Sequence, residues 1–252
     1  MEIIALAILG LVQGLSEFLP ISSSGHLLLI GKLFGITDSI FVSILLHVAT
    51  LLSILVVYRK DVFDMIKHPF SKQTTSICIA TIPTCLIVLV LMPIVKKSFG
   101  GNFLYISFLI SAIILLFVQI YSKKHVGKEF SLKNALIMGI AQGFAVFPGV
   151  SRSGTTISAG LLSGGEKGEC AKFSFLMSIP IILVSMAGEI FEIWQGGQAL
   201  SINIFGAVIA FVIAFLSGLF SIKFMISLTK KANFMWISGY LVVIAVIAKI
   251  VM

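Results

Sequence analysis

Six long apolar runs constrain the fold of this chain more than any other feature of its sequence. Each is about as long as an α-helix must be to cross the ~30 Å hydrocarbon core of a bilayer. The apolar residues are continuous rather than alternating, which favours helices over the strands of a membrane barrel. The runs occupy residues 41–58, 77–95, 103–121, 173–190, 202–222 and 234–252. The sequence therefore predicts an all-α polytopic membrane protein with six transmembrane helices.

Charge content agrees with this class. Only 11% of the 252 residues are charged, whereas soluble domains carry about 25%. The net charge of +8 does not indicate a nucleic-acid partner, because the basic residues lie in short loops between apolar runs. Lys and Arg in such loops mark the cytoplasmic side. We predict a multi-pass protein of the cell (inner) membrane that is embedded in the bilayer and does not bind nucleic acid.

A polar stretch interrupts the chain before the first apolar run, and it occurs twice. The first copy is QGLSEFLPISSSGH at 13–26, and the second is QGFAVFPGVSRSGT at 142–155, 129 residues later. Six of the fourteen aligned positions are identical, and the shared Gln, Ser and Gly are uncommon in so apolar a chain. Each copy precedes three apolar runs. The sequence thus predicts one integral membrane domain, 1–252, built from repeats 1–125 and 130–252.

The number of runs in each repeat predicts how the repeats are related. Three spans is an odd number, so the second repeat enters the membrane from the opposite side, in an inverted topology. The interrupted segments are predicted as re-entrant helix hairpins, 1–34 and 134–163, with arms of about ten to twelve residues. Such arms reach roughly half the hydrocarbon thickness. Polar tips at that depth are expected to line a cavity.

Loop charge supports re-entry of the second hairpin. If 134–163 enters and returns on one side, thirteen of the eighteen Lys and Arg residues lie on the cytoplasmic side and four on the other, with Arg152 left over. If that segment spanned the membrane, the basic loop at 223–231 would face outward. The count therefore favours re-entry and predicts that both termini are extracytoplasmic.

The positions at which the two polar stretches differ carry the candidate chemistry. Ionisable residues within a membrane are costly and are functional by default. Free N–H groups at a helix start, neighbouring hydroxyls and a guanidinium all bind phosphate oxygens. The differing pairs are Glu17 with Val146, Ser23 with Arg152, and His26 with Thr155. Arg152, Ser151, Ser153, Thr156, Ser22 and Ser24 are the predicted phosphate-binding residues.

Simpler structural roles remain open for the same residues. Arg152 could only pair with Glu17 to hold the hairpins together, and His26 could be a buried, hydrogen-bonded residue. Ser22 and Ser24 are expected to cap helices. The shared residues Gln13, Gln142, Gly25 and Gly154 are assigned supporting roles, the glycines as residues of tight turns. His47, inside the first long run, is expected to be packed or to support the site.

Two motifs resemble those of a known family. EFLPISSSGH at 17–26 and PGVSRSGTTI at 148–157 closely resemble the signatures of undecaprenyl-diphosphate phosphatases of the bacitracin-resistance type. FSFLMSIP at 173–180 is similar to a further family segment, and the resemblance runs from residue 7 to the last span. It implies hydrolysis of undecaprenyl diphosphate to undecaprenyl phosphate and inorganic phosphate, which recycles the lipid carrier of peptidoglycan and other envelope polymers. It also implies six spans, two re-entrant hairpins and a site open to the outer face.

The resemblance assigns roles residue by residue. Its Q/E-x-x-x-E pair, histidine and arginine fall on Gln13, Glu17, His26 and Arg152, and its hydroxyl positions fall on Ser23, Ser151 and Thr156. The pattern admits Gln or Glu at the first position of the pair. Because that position is Gln13 here, the motifs supply one carboxylate, Glu17, and not the two that some mechanisms would require. We expect Mg²⁺ or Ca²⁺ as cofactor, with Glu17 as its protein ligand and substrate oxygens supplying most of the coordination. The nucleophile stays open between His26, Ser23 and water.

A transporter is the alternative function. Inverted repeats with broken helices near the midplane are typical of secondary transporters, and a flippase for a lipid phosphate or another anion would need the same anion site. Glu17 beside His26 favours a hydrolase, which requires an acid–base group. The expected partner is a polyprenyl diphosphate lipid, and a homodimer is the assembly that we consider.

Overall fold

The computed structural model describes residues 2–35, 40–122, 127–196, 203–231 and 233–252. Throughout these ranges the chain forms α-helices and no β-strand, which confirms the predicted all-α class. The helices are α1 (Glu2–Phe18), α2 (Ser23–Phe34), α3 (Ile40–Val57), α4 (Arg59–Lys67), α5 (Lys72–Ser98), α6 (Leu104–Ser122), α7 (Leu132–Phe144), α8 (Arg152–Leu162), α9 (Lys167–Gly196), α10 (Ile204–Lys231) and α11 (Met235–Val251).

The long helices coincide with the predicted apolar runs. In the described ranges α3, α5, α6, α9 and α10 are long and apolar enough to cross a membrane, and α11 is an apolar helix of 17 residues. Large apolar side chains on these helices point outward; Val90 and Phe220, for example, are 76% and 62% exposed. A surface of this kind requires lipid around it. The protein is therefore a multi-pass membrane protein. The short amphipathic helix α4 lies in what the sequence suggested was a loop.

The second hairpin, α7–α8, returns to the end at which it starts. The backbone N–H of Lys128, just before α7, donates to the Gly164 carbonyl just after α8 at 2.8 Å. The Asn134 amide in the first turn of α7 donates to the Ser163 carbonyl at 3.1 Å. A helix of 13 residues such as α7 is roughly 20 Å long and cannot cross the hydrocarbon core alone. The structure thus agrees with the re-entrant path that the loop charges favoured.

The first arm, α1, is longer than expected. The helix continues beyond Gly14 to Phe18, so Gln13 and Glu17 are helical residues rather than residues of a loop. It is held by α10: a Cβ on Gly14 would lie 2.9 Å from the Gly218 backbone nitrogen, and the Ser221 hydroxyl donates to the Leu15 carbonyl at 2.7 Å. Gly14 therefore permits close helix packing and does not end the helix.

Helix packing follows the same pattern in both halves of the chain. Helix α1 packs on α10 and α7 packs on α5, whereas α3 faces α9 and α6 faces α11. In the first two contacts a glycine meets an alanine backbone: Gly10 on Ala210, and Gly139 on Ala80. The glycines are separated by the same 129 residues as the polar stretches. The first helix of each hairpin thus packs against an equivalent helix of the other half of the chain, α1 on α10 and α7 on α5.

The basic loops gather at one end of the bundle. Lys72, which begins α5, is 3.3 Å from Glu129, and Lys172 in the first turns of α9 is 2.5 Å from Asp61 of α4. The start of α5, the start of α9 and the approach to α7 are therefore neighbours.

The opposite end holds both chain termini. The far ends of α5 and α9 meet there, with Lys96 3.8 Å from Glu192. The Met252 side chain packs against Gly101 at the start of α6, and Ile3 lies against Gly206 at the start of α10. Ile3 and Met252 therefore lie at the end of the bundle opposite the basic loops.

Candidate functional site

The tips of the two hairpins touch at related positions. A Cβ on Gly25 would lie 2.7 Å from the Gly149 Cα, and a Cβ on Gly154 would lie 3.0 Å from the Pro20 Cβ. Each pair joins the start of one hairpin's second helix to the turn of the other hairpin. Gly25 and Gly154 do not have positive φ angles. The prediction that they form tight turns is therefore wrong; they allow two backbones to approach closely.

A serine caps the second helix of each hairpin, which confirms the capping prediction for Ser22, whereas Ser24 lies inside α2 and does not cap it. The Ser151 hydroxyl accepts the Gly154 N–H at 3.1 Å, and the Ser22 hydroxyl accepts the Gly25 N–H at 3.4 Å. Ser22 also accepts the Gly149 N–H at 3.1 Å, so one hydroxyl joins both tips. Its φ of 70° lies in the left-handed region, which costs a non-glycine residue about 1–2 kcal/mol. These two hydrogen bonds offset that cost.

An ion pair and two further hydrogen bonds surround the only carboxylate of the signature motifs. One Glu17 oxygen pairs with the Arg152 guanidinium of the other hairpin. The other oxygen accepts the Ser23 hydroxyl at 2.5 Å and the Gln13 amide at 3.2 Å. The Glu17 side chain is 3% exposed but that of Arg152 is 23% exposed. The guanidinium can therefore offer its remaining N–H donors to a bound anion, while hydrogen bonds satisfy the buried carboxylate.

The other predicted hydroxyls stabilise the second tip. The Ser153 hydroxyl donates to the Leu19 carbonyl at 3.0 Å, which ties α8 to the first hairpin. Thr156 is fully buried, and its hydroxyl lies 2.6 Å from that of Ser174 in the FSFLMSIP segment of α9. Ser24 has only a 3.5 Å contact with the Ser22 hydroxyl. Thr156 thus supports the position of Arg152 from behind rather than facing a ligand.

His26 does not join the Glu17–Arg152 pair directly. Its Nδ1 lies 2.8 Å from the Ser22 carbonyl oxygen and its Nε2 lies 2.8 Å from the Tyr240 hydroxyl. No hydrogen bond links its ring to Glu17 or Arg152 within the described ranges. The ring points toward α6 and α11, and the sequence contained no signal that α11 supplies its partner.

A second histidine lies near the carboxylate, in keeping with the supporting role that the sequence left open for it. His47 of α3 is near enough to Glu17 to interact with it electrostatically. Its Nδ1 donates to the Ser43 carbonyl at 2.9 Å, and the Ser43 hydroxyl donates to Glu189 of α9 at 3.1 Å. An ionisable residue inside an apolar run was the signal that could have placed His47 nearer the site.

The two glutamines of the repeat have different surroundings. Gln142 donates to the Thr84 hydroxyl at 3.3 Å, and Thr84 in turn donates to the Gly139 carbonyl at 2.7 Å. This network braces α7 on α5, away from the charged cluster. Gln13 donates to Glu17 instead, and its Oε1 is buried with no hydrogen-bond partner in the described part of the chain.

The donor set limits how a divalent cation could be held. Among the residues that the structure describes, no three His, Cys, Asp or Glu side chains are grouped closely enough to bind a metal ion. Glu17, which is paired with Arg152, is the carboxylate of this cluster, and the buried Oε1 of the neighbouring Gln13 has no hydrogen-bond partner in the described ranges. Hard cations take six or more oxygens. The site therefore fits a cation that arrives with, and is mostly coordinated by, a phosphorylated ligand.

Comparisons with known proteins identify the relatives of this chain. The family model described as bacitracin resistance protein BacA matches residues 6–247. A protein of Christiangramia forsetii named undecaprenyl-diphosphatase is 38% identical over 98% of this chain and 97% of its own length. A protein of the same name from Carboxydothermus hydrogenoformans is 38% identical over 95% of this chain and 93% of its own length. Another, from Korarchaeum cryptofilum, is 37% identical over 98% of both chains. The chain belongs to the BacA family of bacitracin resistance proteins.

Proposed function

We propose that this protein hydrolyses undecaprenyl diphosphate to undecaprenyl phosphate and inorganic phosphate. The function has the support of relatives that carry the name undecaprenyl-diphosphatase and match nearly the whole chain. The lipid tail would lie against the apolar helices, and the diphosphate would reach the touching hairpin tips. The product is the monophosphate carrier on which envelope polymers are assembled.

One observation carries the catalytic assignment: Ser23 is hydrogen-bonded to Glu17, which is paired with Arg152. A hydroxyl within hydrogen-bond reach of a base, beside a cation that can stabilise a phosphoryl group, is the arrangement of an activated nucleophile. Ser23 is therefore the proposed nucleophile and Glu17 its general base. His26 is less suited to attack, because Tyr240 occupies its Nε2.

The reaction then has two balanced steps. In the first, the Ser23 oxygen bonds to the terminal phosphorus, the bond to the bridging oxygen breaks, undecaprenyl phosphate leaves and Glu17 takes the serine proton. In the second, water attacks the phosphorus of the phosphoserine, the phosphorus–serine bond breaks and inorganic phosphate leaves. Glu17 returns its proton to the serine oxygen, and His26 takes the proton that the water loses. Arg152 binds the equatorial oxygens in both steps. The N–H groups at the start of α8 and the capping serines Ser151 and Ser22 orient the phosphoryl group that is transferred.

We propose that a divalent cation binds to the site together with the substrate. Glu17 and Gln13 Oε1 would be its protein ligands, and the diphosphate would supply the remaining oxygens. When bound, Mg²⁺ or Ca²⁺ would screen the negative charge of the diphosphate.

We propose that the basic end of the bundle faces the cytoplasm of the cell membrane. Both termini would then be extracytoplasmic, and the site would open toward the outer face. A homodimer stays a proposal for the assembly.

Phosphate release from undecaprenyl diphosphate by the purified protein in detergent tests the function. Wild-type protein should release phosphate with Mg²⁺ or Ca²⁺, release should fall in EDTA, and Glu17→Gln should reduce kcat by at least about 10²-fold. Glu192→Gln, on the exposed rim of α9, is the matched control. A folded wild type that binds the lipid diphosphate without releasing phosphate would support the transporter instead.

A further inference from the structure

The histidine of the first hairpin is held at both ring nitrogens. His26 Nδ1 lies 2.8 Å from the Ser22 carbonyl oxygen, and Nε2 lies 2.8 Å from the Tyr240 hydroxyl. A carbonyl oxygen only accepts, so Nδ1 carries the hydrogen. In the neutral ring Nε2 is then the acceptor, and Tyr240 is the donor. The two contacts together select one tautomer of His26.

Aromatic packing also fixes the plane of this ring. The His26 and Tyr240 rings lie in nearly parallel planes, 6° apart, with centroids 5.7 Å apart, and they meet edge to edge through the Nε2–hydroxyl contact. Phe108 packs edge-on against its other side, with centroids 5.2 Å apart. His26 is 6% exposed. The imidazole therefore cannot rotate to present Nε2 elsewhere unless Tyr240 moves.

Tyr240 controls access to Nε2 from outside the hairpin. It belongs to α11, at the far end of the chain from His26, and it is 42% exposed. After its hydrogen is donated to Nε2, its oxygen still has lone pairs that can accept a hydrogen bond. A group that approaches His26 from the exposed side meets Tyr240 first.

We propose that Tyr240 is a positioning residue for the phosphatase reaction, acting through His26. This inference rests on the proposed function. Tyr240 holds Nε2 as an unprotonated acceptor in the resting site. If His26 gains a proton during turnover, the same hydroxyl oxygen accepts the new Nε2–H. One residue thus keeps His26 oriented in both of its protonation states.

A conservative pair of variants tests this role. Tyr240→Phe keeps the aromatic ring and removes the hydroxyl. Tyr58→Phe is the matched control, since the Tyr58 hydroxyl is buried with no hydrogen-bond partner in the described ranges. Phosphate release should show kcat about tenfold lower for Tyr240→Phe, with KM within about twofold, and no change for Tyr58→Phe. An unchanged kcat in Tyr240→Phe would overturn the proposal.

A spectroscopic readout separates this inference from the proposed function. In protein with ¹⁵N-labelled histidines, a His26→Gln variant identifies the His26 signals. The Nε2 signal should move toward that of a free imidazole acceptor in Tyr240→Phe and stay in place in Tyr58→Phe. Identical His26 signals in wild type and Tyr240→Phe would refute the contact. If the wild type releases no phosphate, the proposed function fails, while this spectrum still decides whether Tyr240 positions His26.

Discussion

Arg152 of the second hairpin forms an ion pair with Glu17 of the first, although 135 residues separate them in the chain. The two side chains lie at the tips of the two hairpins, one in each half of the chain. Because Glu17 also accepts hydrogen bonds from Ser23 and Gln13, this pair organises the whole charged cluster. It therefore has a structural role, as well as the proposed catalytic one.

Arg152→Lys tests whether the planar guanidinium is required. Lysine keeps the charge but loses the fork of N–H donors that can hold Glu17 and a phosphate together. We expect kcat/KM for phosphate release to fall by about 10²- to 10³-fold. Arg59→Lys, on the exposed helix α4, should leave kcat/KM unchanged. Near-normal turnover in Arg152→Lys would mean that a point charge is sufficient.

Ser23→Ala tests the proposed nucleophile. Removal of the hydroxyl should reduce kcat by at least about 10³-fold and abolish any phosphoserine trapped by rapid acid quench and found by mass spectrometry. Ser98→Ala is the control, because the Ser98 hydroxyl only donates to the Val95 carbonyl of its own helix. Retention of more than a tenth of the wild-type kcat in Ser23→Ala would favour direct attack by water.

Gly25→Ala tests the close approach of the tips. The added methyl group would lie 2.7 Å from the Gly149 Cα, so one backbone must shift, at a cost of about 1–3 kcal/mol. Thermal unfolding in detergent should show a lower midpoint, and activity should fall with it. Gly188→Ala has no neighbour within 4 Å of the new Cβ and should be neutral or stabilising by up to about 1 kcal/mol. Equal midpoints for the two variants would contradict this packing.

Two substitutions of Ser22 separate its hydrogen bonds from its backbone strain. Ser22→Ala loses the bonds to Gly25 and Gly149 and keeps the left-handed φ. Ser22→Gly loses the same bonds but adopts that φ without cost. We expect both variants to be less stable than wild type, with Ser22→Gly more stable than Ser22→Ala by roughly 1 kcal/mol. The reverse order in chemical unfolding would show that the φ of Ser22 is not strained.

Cysteine labelling in sealed vesicles tests the re-entrant path. Glu129 and Glu166 lie before and after the second hairpin, and both are exposed. In a protein without its natural cysteines, Glu129→Cys and Glu166→Cys should react with a membrane-impermeant thiol reagent from the same side. Gly100→Cys, at the other end of the bundle, should react from the opposite side. Labelling of Glu129→Cys and Glu166→Cys from different sides would mean that this segment spans the membrane.

Local features of the sequence predicted the spans and the two hairpins, and they singled out Glu17, Arg152 and Ser23, which the structure brings into contact. Apolar length is a local property, so the runs predicted the ends of α3, α6 and α11 to within one residue and those of α5, α9 and α10 to within nine residues. Glu17 and Arg152 were identifiable because a charge in an apolar segment is too costly to persist without a role. Ser23 was found because its counterpart in the repeat is that arginine.

Which side chains meet across the bundle depends on the tertiary structure. Helix rotation and the crossing of the tips bring His26 to Tyr240, 214 positions away, and Gln142 to Thr84, 58 positions away. No local pattern encodes these two contacts, whereas the Gln13–Glu17 hydrogen bond joins residues four positions apart on one helix. The role of the glycines also depended on the fold, because the need for a missing Cβ becomes visible only when the second backbone is in place.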